Sequence, residues 1–219
     1  MNKQAVLFDL DGTLIDTAPD MAAALNHILN EEGLDSLPLD VIRPHVSRGG
    51  LALTKLAFDP YRNGDEIEPL RLRFLDYYLQ HIAEHSRLFD GFDTVLEELE
   101  QRDILWGVVT NKPAWLTDPL MNQLGLSKRS AVTISGDTTA QKKPHPLPLI
   151  TAAKTINRQC EQCLYIGDDP RDIVAGNAAD MTTVIARYGY ITDASDFDSW
   201  QADTHIDHPL QILDLLGIR

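Results

Sequence analysis

The distribution of apolar and polar residues along the chain predicts a layered α/β fold. Short, almost unbroken apolar runs are typical of strands that are covered on both faces. Such runs stand at residues 5–8, 104–109, 131–134, 163–166 and 183–186. Between them, apolar residues recur at three- and four-residue intervals, as in 19–32 and 92–102, and this spacing predicts helices. Five strands interleaved with helices predict a doubly wound parallel sheet.

One interval departs from this alternation. Residues 34–86 keep the helical spacing, interrupted by proline and glycine, and contain no strand-like stretch. A crossover between neighbouring parallel strands needs only about a dozen residues, far fewer than this interval provides. We therefore predict a core domain of residues 1–15 and 87–219, with an inserted small helical cap of residues 16–86. The alternative is that these helices only cover the sheet.

The net charge of the chain restricts its partners. Asp and Glu number 33 against 19 Lys and Arg, which gives a formal net charge of −14. The summed field repels polyanions and no basic stripe offsets it, so we expect no nucleic-acid partner. The apolar run before the first acidic residue is too short for a signal-peptide core, and no other run is long enough to span a bilayer. We therefore expect a cytoplasmic protein without membrane attachment.

The two cysteines form a single Cys-x-x-Cys motif, Cys160 and Cys163. A zinc site would need two more ligands, for which His145 and His205 are the candidates. Redox motifs of this spacing normally open a helix, whereas this pair leads into a predicted strand. We therefore interpret both residues as reduced structural thiols.

Two carboxylates follow the first predicted strand without a spacer. The string Asp9-Leu10-Asp11-Gly12-Thr13 begins where the apolar run ends. In open α/β sheets the ligand crevice lies beyond the carboxyl ends of the strands. Paired carboxylates at that point are costly unless a cation shares them, and Mg²⁺ prefers carboxylates, substrate phosphate oxygens and water. Taken alone, the string also fits an Asx turn after a strand.

Later strand ends carry polar residues of complementary chemistry. Thr110 ends the second strand just before a helix start, where a hydroxyl and free N–H groups can bind an anion. Lys142 and Lys143 precede a segment that two prolines stiffen, and either lysine is a candidate for holding an anion. Asp168 and Asp172 follow the fourth strand and would complete the oxygen shell of a metal.

In this order, the four segments resemble the four motifs of the haloacid dehalogenase superfamily of phosphotransferases, over essentially the whole chain. The resemblance implies that Asp9 is the nucleophile and Asp11 the general acid and base of an aspartyl-phosphate mechanism. It also implies a Mg²⁺ site formed by Asp9, the main-chain carbonyl of Asp11 and Asp168, with Asp172 in a supporting position. Asp169 stands where serine is common in this family.

The same resemblance assigns the substrate-binding side chains. Thr110 and Asn111 match the second motif, and Thr110 is expected to donate to the transferring phosphoryl group. Lys143 is preferred over Lys142 as the phosphate-binding lysine because the family's lysine directly precedes proline. In the predicted cap, Arg48 lies near the family's specificity loop and is expected to contact the substrate. The alternative for Arg48 is a solvated surface arginine.

Two branches of the superfamily share local features with this chain. Residues 17–20 and 110–113 resemble phosphoglycolate phosphatases, whereas residues 105–109 and 187–191 resemble bacterial N-acetylmuramic acid 6-phosphate phosphatases. We therefore expect a Mg²⁺-dependent phosphatase that acts on a small phosphorylated and carboxylated metabolite, as a monomer or weak homodimer. A phosphomutase, which keeps the same groups, is the alternative. A receiver-type domain would lack the cap, and a dehalogenase would need neither the second aspartate nor metal.

Overall fold

A six-stranded parallel sheet forms the centre of the structure, a computed structural model that describes residues 3–62, 64–191 and 197–218. The strands of the described ranges are β1 (Ala5–Phe8), β2 (Ile15–Asp16), β3 (Arg87–Leu88), β4 (Leu105–Val109), β5 (Thr133–Ile134), β6 (Cys163–Gly167), β7 (Thr182–Ala186) and β8 (Thr204–Ile206). The sheet has the order β5-β4-β1-β6-β7-β8, while β2 and β3 pair separately. The predicted doubly wound parallel sheet is confirmed.

The first strand lies at the centre of the sheet because its side chains are apolar on both faces. It pairs in parallel with β4 on one side and with β6 on the other. Val6 and Phe8 belong to one apolar cluster and Ala5 and Leu7 to another, as the two-residue period of a strand requires. All four residues are fully buried. Such a run is stable only in the interior of a covered sheet.

The carboxyl ends of β1, β4 and β6 lie side by side. Phe8 is in register with Val108 on one neighbour and with Ile166 on the other. From β1 the chain continues to β4 and β5 on one side and later to β6, β7 and β8 on the other. A reversal of strand order opens a crevice beyond the carboxyl ends of the strands. The polar segments that follow these strands therefore share one edge of the sheet.

The helices fall into a block between β2 and β3 and a set that covers the sheet. In the described ranges they are α1 (Ala18–Glu31), α2 (Leu39–Ile42), α3 (Gly50–Phe58), α4 (Gly64–Gln80), α5 (Phe92–Gln101), α6 (Ala114–Gln123), α7 (Leu147–Thr155), α8 (Pro170–Ala178), α9 (Phe197–Trp200) and α10 (Gln211–Leu215), with 3₁₀ turns at Arg43–Arg48 and Cys160–Gln162. The predicted helices 19–32 and 92–102 are observed as α1 and α5. None of these described helices combines the length and hydropathy of a membrane-spanning segment.

The helices α1 to α4 pack against one another as one block. The long helix α4 contacts both α1 and α3. Its buried residues Phe74 and Tyr78 lie in the same apolar cluster as Phe8 of the sheet. The chain leaves and re-enters the sheet region at one place, because Ile15 of β2 pairs with Leu88 of β3. The division of the chain into core and cap stays a prediction.

A buried carboxylate ties the two connections of this block together. Asp20, which is only 2% exposed, lies in the first turn of α1. It accepts hydrogen bonds of 2.6 to 3.1 Å from the main-chain N–H groups of His85 and Ser86 and from the Ser86 hydroxyl. These bonds satisfy both oxygens of a group whose burial would otherwise be costly. The segment before β3 is thereby fixed to the start of α1.

The strands that the sequence did not predict are short. β8 has three residues, of which only the last is buried, so no apolar run marks it. β2 and β3 have two residues each, which is too few for a period to be recognised. The predicted strand 131–134 is reduced to its second half, Thr133–Ile134.

Candidate active site

Asp9 stands directly beyond β1, at the middle of the sheet's carboxyl edge. Its main-chain N–H donates to the carbonyl of Ile166 at 2.9 Å and so continues the parallel pairing. Asp9 is 7% exposed. Its Oδ1 accepts a 2.7 Å hydrogen bond from the N–H of Leu10 and lies 2.8 Å from Nζ of Lys143. The hydrogen bonds of the described residues leave Oδ2 without a donor.

Lys143 lies buried between two carboxylates. Besides Asp9, its Nζ donates to Oδ1 of Asp172 at 2.7 Å and to the hydroxyl of Tyr165 at 2.9 Å. Burial lowers the pKa of Lys143, but Asp172 and Asp9 outweigh this effect and raise the pKa above its ordinary value. The side-chain amide of Asn111 fixes the lysine's main chain, donating to its carbonyl at 2.9 Å and accepting from its N–H at 3.0 Å. The ammonium group is therefore held in one place.

Asp168, at the end of β6, is surrounded by donors. Its Oδ1 accepts from the Thr13 hydroxyl at 3.0 Å, and its Oδ2 accepts from the N–H of Tyr190 at 2.9 Å and from the Ser47 hydroxyl at 3.2 Å. The turn after β1 passes so close that a Cβ at Gly12 would collide with this carboxylate. Gly12 also has a φ of 86°, a conformation that favours glycine.

Three carboxylates meet in this small volume and make it strongly acidic. Oxygens of Asp9, Asp168 and Asp172 lie within 4.8 Å of one another. Burial and the neighbouring Asp172 raise the pKa of Asp9 to about 7 although Lys143 opposes the shift. Burial, Asp9 and Asp172 raise the pKa of Asp168 well above its usual range. One lysine does not balance three buried carboxylates, so the donor set fits a divalent cation that prefers oxygen ligands, such as Mg²⁺.

The carboxylate of Asp11 has partners of its own. Its Oδ1 accepts hydrogen bonds from the Thr17 hydroxyl at 2.6 Å and from Nζ of Lys112 at 2.9 Å. Lys112 also donates to the hydroxyl of Tyr78 on α4 at 3.0 Å. Burial lowers the pKa of Lys112, but Asp11 and Tyr78 outweigh it and raise the pKa above its ordinary value. Lys112 thus connects Asp11 to the helical block.

A cavity of about 300 Å³ lies between the sheet edge and the helical block, and Asp9, Asp11 and Lys143 are among the residues that line it. Thr110, which is buried at the end of β4, accepts the N–H of Lys112 on its hydroxyl oxygen at 3.1 Å. The hydroxyl proton can therefore be donated to another acceptor. The helical block contributes Ser47, Arg48 and Leu51 to the walls. The arrangement combines a buried carboxylate, hydrogen-bond donors and cations, which suits an anionic ligand.

The structure brings the predicted site residues together. Those that line the cavity are Asp9, Asp11, Arg48, Thr110, Asn111 and Lys143. Asp168 lies beside Asp9 in the acidic cluster. The third carboxylate of that cluster is Asp172, not Asp11, whose carboxylate pairs with Lys112. Both ends of the Asn111 side-chain amide bond the main chain of Lys143, so Asn111 orients that lysine, and its predicted contact with substrate stays a prediction.

The two adjacent lysines differ sharply in environment. Lys143 is 3% exposed and forms both buried ion pairs. Lys142 is exposed on the cavity wall, and its ammonium group makes no hydrogen bond or ion pair with the described residues. Arg48 is exposed on the same cavity, and its guanidinium also makes no such contact with the described residues. Arg48 is therefore available for an anionic group of a ligand.

Several residues of the site were not singled out by the sequence. Lys112 directly follows Thr110 and Asn111 in the sequence, so a lysine next to the predicted anion-binding residues was a visible signal. No local sequence signal marked the contacts of Ser47 and Tyr190 with Asp168, because each of these residues is more than 20 positions away from Asp168 in the chain. Such contacts are set by tertiary structure rather than by local pattern.

The cysteines lie outside this site. Cys160 is in the second 3₁₀ turn and Cys163 begins β6, and both are free thiols. Burial raises the pKa of both groups, that of Cys163 to about 11. Raised pKa values make thiols poor nucleophiles, in agreement with a structural role. Among the described residues, the group of possible metal ligands is the acidic cluster, and neither His145 nor His205 joins the cysteines in another.

The family comparison agrees with this geometry. The model of the haloacid dehalogenase-like hydrolases matches residues 6–186, which is most of the chain. The protein belongs to this family, and the predicted superfamily is confirmed. Together with its relatives, the fold identifies an enzyme of the phosphatase class.

Curated relatives carry two different names. The chain is 46% identical to the phosphoglycolate phosphatase of Xanthomonas campestris pv. campestris (strain 8004) over 95% of this chain and 94% of that protein. It is 45% identical to the N-acetylmuramic acid 6-phosphate phosphatase of Pseudomonas putida (strain KT2440) over 97% of this chain and 95% of that protein. The crystal structure of a predicted phosphoglycolate phosphatase from Haemophilus somnus 129pt superposes with a TM-score of 0.87 at 26% identity, covering 98% of both chains.

Proposed function

We propose that the protein hydrolyses phosphate monoesters of small carboxylated metabolites through an aspartyl phosphate on Asp9. The observation that carries this proposal is the setting of the Asp9 carboxylate. Its Oδ1 is fixed by the N–H of Leu10 and by Lys143, while Oδ2 has no donor among the described residues. A carboxylate held in this way at a cavity that also contains Thr110 is suited to nucleophilic attack on phosphorus. Membership of the family supports the same mechanism.

The proposed reaction has two steps. In the first, Asp9 attacks phosphorus while Asp11 protonates the leaving oxygen, and in the second, Asp11 deprotonates the water that releases inorganic phosphate. Lys143 and Thr110 donate to the phosphoryl oxygens, so that positioning and electrostatics supply most of the rate enhancement. Asp11 is paired with Lys112 in this structure. Lys112 and the Thr17 hydroxyl both bond Oδ1 of Asp11, so Oδ2, which has no donor among the described residues, is the oxygen proposed to carry the proton.

Mg²⁺ is the proposed cofactor. Asp9 and Asp168 would hold it together with the main-chain carbonyl of Asp11, while Asp172 would support the site through Lys143. When bound, the ion offsets the charge of the phosphoryl oxygens. The acidic cluster supports this assignment because its carboxylates are buried and insufficiently balanced, and phosphatases of this family generally use Mg²⁺.

Removal of Mg²⁺ is expected to abolish hydrolysis, and Ca²⁺ is expected to inhibit it. Calcium accepts more oxygen ligands at longer distances than magnesium, so it can take both oxygens of Asp9 and leave none for attack. Initial rates after chelation, after addition of Mg²⁺ and with Ca²⁺ at fixed Mg²⁺ test both statements. Full activity in excess chelator would contradict the proposed metal site. If Ca²⁺ supports the same rate as Mg²⁺, the statement that calcium occupies both oxygens of Asp9 is wrong.

The helical block is proposed to act as a cap that selects the substrate. Residues 16–86 supply one wall of the cavity, including Arg48 and Leu51. The block joins the rest of the chain at the paired strands β2 and β3. When the phosphate of a substrate is bound at Asp9, the rest of the substrate would therefore contact the helical block.

Phosphoglycolate is the first candidate substrate. Several curated relatives that match nearly the whole chain are named phosphoglycolate phosphatase. Phosphoglycolate carries a carboxylate besides its phosphate. The guanidinium of Arg48 lies on the cavity wall without a partner among the described residues, and it provides the cationic contact that such a carboxylate requires.

N-acetylmuramic acid 6-phosphate is a second candidate, which the apolar part of the cavity favours. Trp115 and Leu51 line the cavity although they are 46% and 49% exposed. An exposed indole on a cavity wall suits a sugar ring, whereas a two-carbon acid would leave it uncovered. This compound also pairs a phosphate monoester with a carboxylate, so the argument for Arg48 holds for both candidates.

A comparison of kcat/KM on the two compounds distinguishes the candidates. We expect measurable hydrolysis of at least one of them with release of inorganic phosphate. Formation of an isomeric sugar phosphate instead would indicate a phosphomutase. A clear preference for a phosphate monoester without any carboxylate would contradict both candidate substrates.

Replacement of Arg48 by alanine is expected to lower kcat/KM selectively for the carboxylated substrate. Loss of a charged hydrogen bond costs about 1.5–3 kcal/mol, so kcat/KM should fall roughly ten- to a hundredfold. A small ester whose leaving group carries no carboxylate, such as p-nitrophenyl phosphate, cannot use this contact, so the variant and the unmodified protein should hydrolyse it with nearly the same kcat/KM. An equal loss on both substrates would show that Arg48 acts on the structure or closure of the cap instead.

A further inference from the structure

An ion pair next to the acidic cluster connects the core to the helical block. Asp169 caps the start of α8, where its Oδ1 accepts the N–H of Arg171 at 2.9 Å. The same carboxylate holds the guanidinium of Arg171 with two bonds, from Nε to Oδ1 at 2.7 Å and from Nη2 to Oδ2 at 2.9 Å. Nη2 also donates to the main-chain carbonyl of Ser47 at 2.7 Å. Arg171 thus reaches a segment 124 positions away in the chain.

The receiving segment is the 3₁₀ turn Arg43–Arg48. Ser47 is fixed twice, because its carbonyl accepts from Arg171 and its hydroxyl donates to Oδ2 of Asp168 at 3.2 Å. The next residue is Arg48, which lies on the cavity wall. The contacts of Ser47 therefore fix the main-chain position of the adjacent Arg48, from which its side chain extends.

The second oxygen of Asp169 indicates that the pair does more than cap a helix. The N–H of Arg171 bonds Oδ1 at the start of the helix, whereas Oδ2 accepts a bond from the guanidinium of Arg171. A two-bonded arrangement restricts the plane of the guanidinium, which a single bond would not do. The pair is partly buried, with 36% of the Arg171 side chain and 17% of the Asp169 side chain exposed, and its directional effect on the Arg171 side chain is the relevant property.

We propose that Arg171 is a positioning residue that seats the turn Arg43–Arg48 so that Arg48 faces the cavity, and that Asp169 orients Arg171 for this task. The inference rests on the proposed function, since it assigns Arg48 to the carboxylate of the substrate. Although Arg171 also lines the cavity, its guanidinium is held by Asp169 and the carbonyl of Ser47, so it acts through Ser47 and Arg48 rather than on the phosphoryl group. Its loss should therefore affect substrate binding more than the chemical steps.

Kinetics of Arg171→Ala and Asp169→Ser test this role. Serine can still cap α8, but its single hydroxyl cannot form both hydrogen bonds with the guanidinium of Arg171. We expect KM for the preferred carboxylated substrate to rise roughly tenfold in both variants, with kcat changed by much less. Arg129→Ala is the matched control because Arg129 makes a similar two-bonded pair with Glu100, at 2.9 and 3.3 Å, away from the cavity. Its kinetics should equal those of the unmodified protein.

A double variant separates positioning from direct binding. If Arg171 acts through Arg48, then Arg48→Ala combined with Arg171→Ala should be no worse than Arg48→Ala alone. Additive losses in kcat/KM would overturn the proposal, because they would mean that Arg171 contributes independently of Arg48.

Hydrogen exchange supplies a readout that needs no substrate. Residues 43–49 should exchange faster in Arg171→Ala and in Asp169→Ser than in the unmodified protein and in Arg129→Ala. Unchanged exchange in this segment would overturn the proposal. If the unmodified protein hydrolyses no carboxylated monoester, the proposed function fails, whereas the exchange result still decides whether Arg171 seats the turn.

Discussion

Asp9→Asn is expected to lower kcat by roughly 10⁴-fold or more, the scale on which removal of a nucleophile acts in other hydrolases. The amide of asparagine cannot form the phosphoryl intermediate, whereas its Oδ1 can still accept the hydrogen bonds from Leu10 and Lys143. The variant should therefore fold as the unmodified protein does. Initial rates with saturating p-nitrophenyl phosphate measure the effect, and near-normal hydrolysis would contradict the assignment of Asp9.

The same substitution should leave the metal-free protein at least as stable as before. It removes one of three carboxylates that lie within 4.8 Å of one another in a buried cluster, and like charges at such distances repel. Lys143 is not left unpaired, because it keeps its ion pair with Asp172. Thermal unfolding in excess chelator tests this expectation. Asp90→Asn is a suitable control because that carboxylate is fully exposed, so neither activity nor Tm should change. A large fall in Tm for Asp9→Asn would show that its loss of activity reflects damage to the fold.

The parts of the site that follow strands could be predicted because the physics of a parallel sheet places them. Once the apolar runs before Asp9, Thr110 and Asp168 are recognised as strands, their carboxyl ends must meet at one edge. Lys143 could be chosen over Lys142 only through the family motif, since both are lysines beside proline-rich sequence. The structure supports that choice because Lys143 is buried against Asp9 and Lys142 is exposed.

The contacts between the core and the helical block could not be predicted in this way. Ser47 and Tyr190 each donate a hydrogen bond to the predicted site carboxylate Asp168, but no local period or turn signal positions them. The role of Asp169 was equally invisible, because a carboxylate at a helix start fits an ordinary N-cap. Only the position of Arg171 shows that its second oxygen has a further use.

Lys143→Met is expected to impair both stability and activity. Methionine has a similar length but no charge, so Asp9 and Asp172 would lose their buried ionic partner. Breaking a buried ion pair by removing one partner costs about 3–5 kcal/mol in the free energy of unfolding. Activity should fall roughly 10³-fold, because the phosphoryl oxygens would lose a cation that is fixed in position. Urea unfolding in excess chelator and initial rates with Mg²⁺ measure the two effects.

A control and a compensating variant make this prediction sharper. Lys142→Met changes the adjacent, exposed lysine, and the free energy of unfolding should remain as it is. Adding Asp172→Asn to Lys143→Met removes one of the carboxylates left unpaired, so part of the lost stability should return while activity stays low. Recovery of stability in this double variant would show that Lys143 balances the buried carboxylates, whereas its action on the phosphoryl group is measured by the activity of Lys143→Met alone. If Lys143→Met unfolds at the same urea concentration as the unmodified protein, the ionic account of this cluster is wrong.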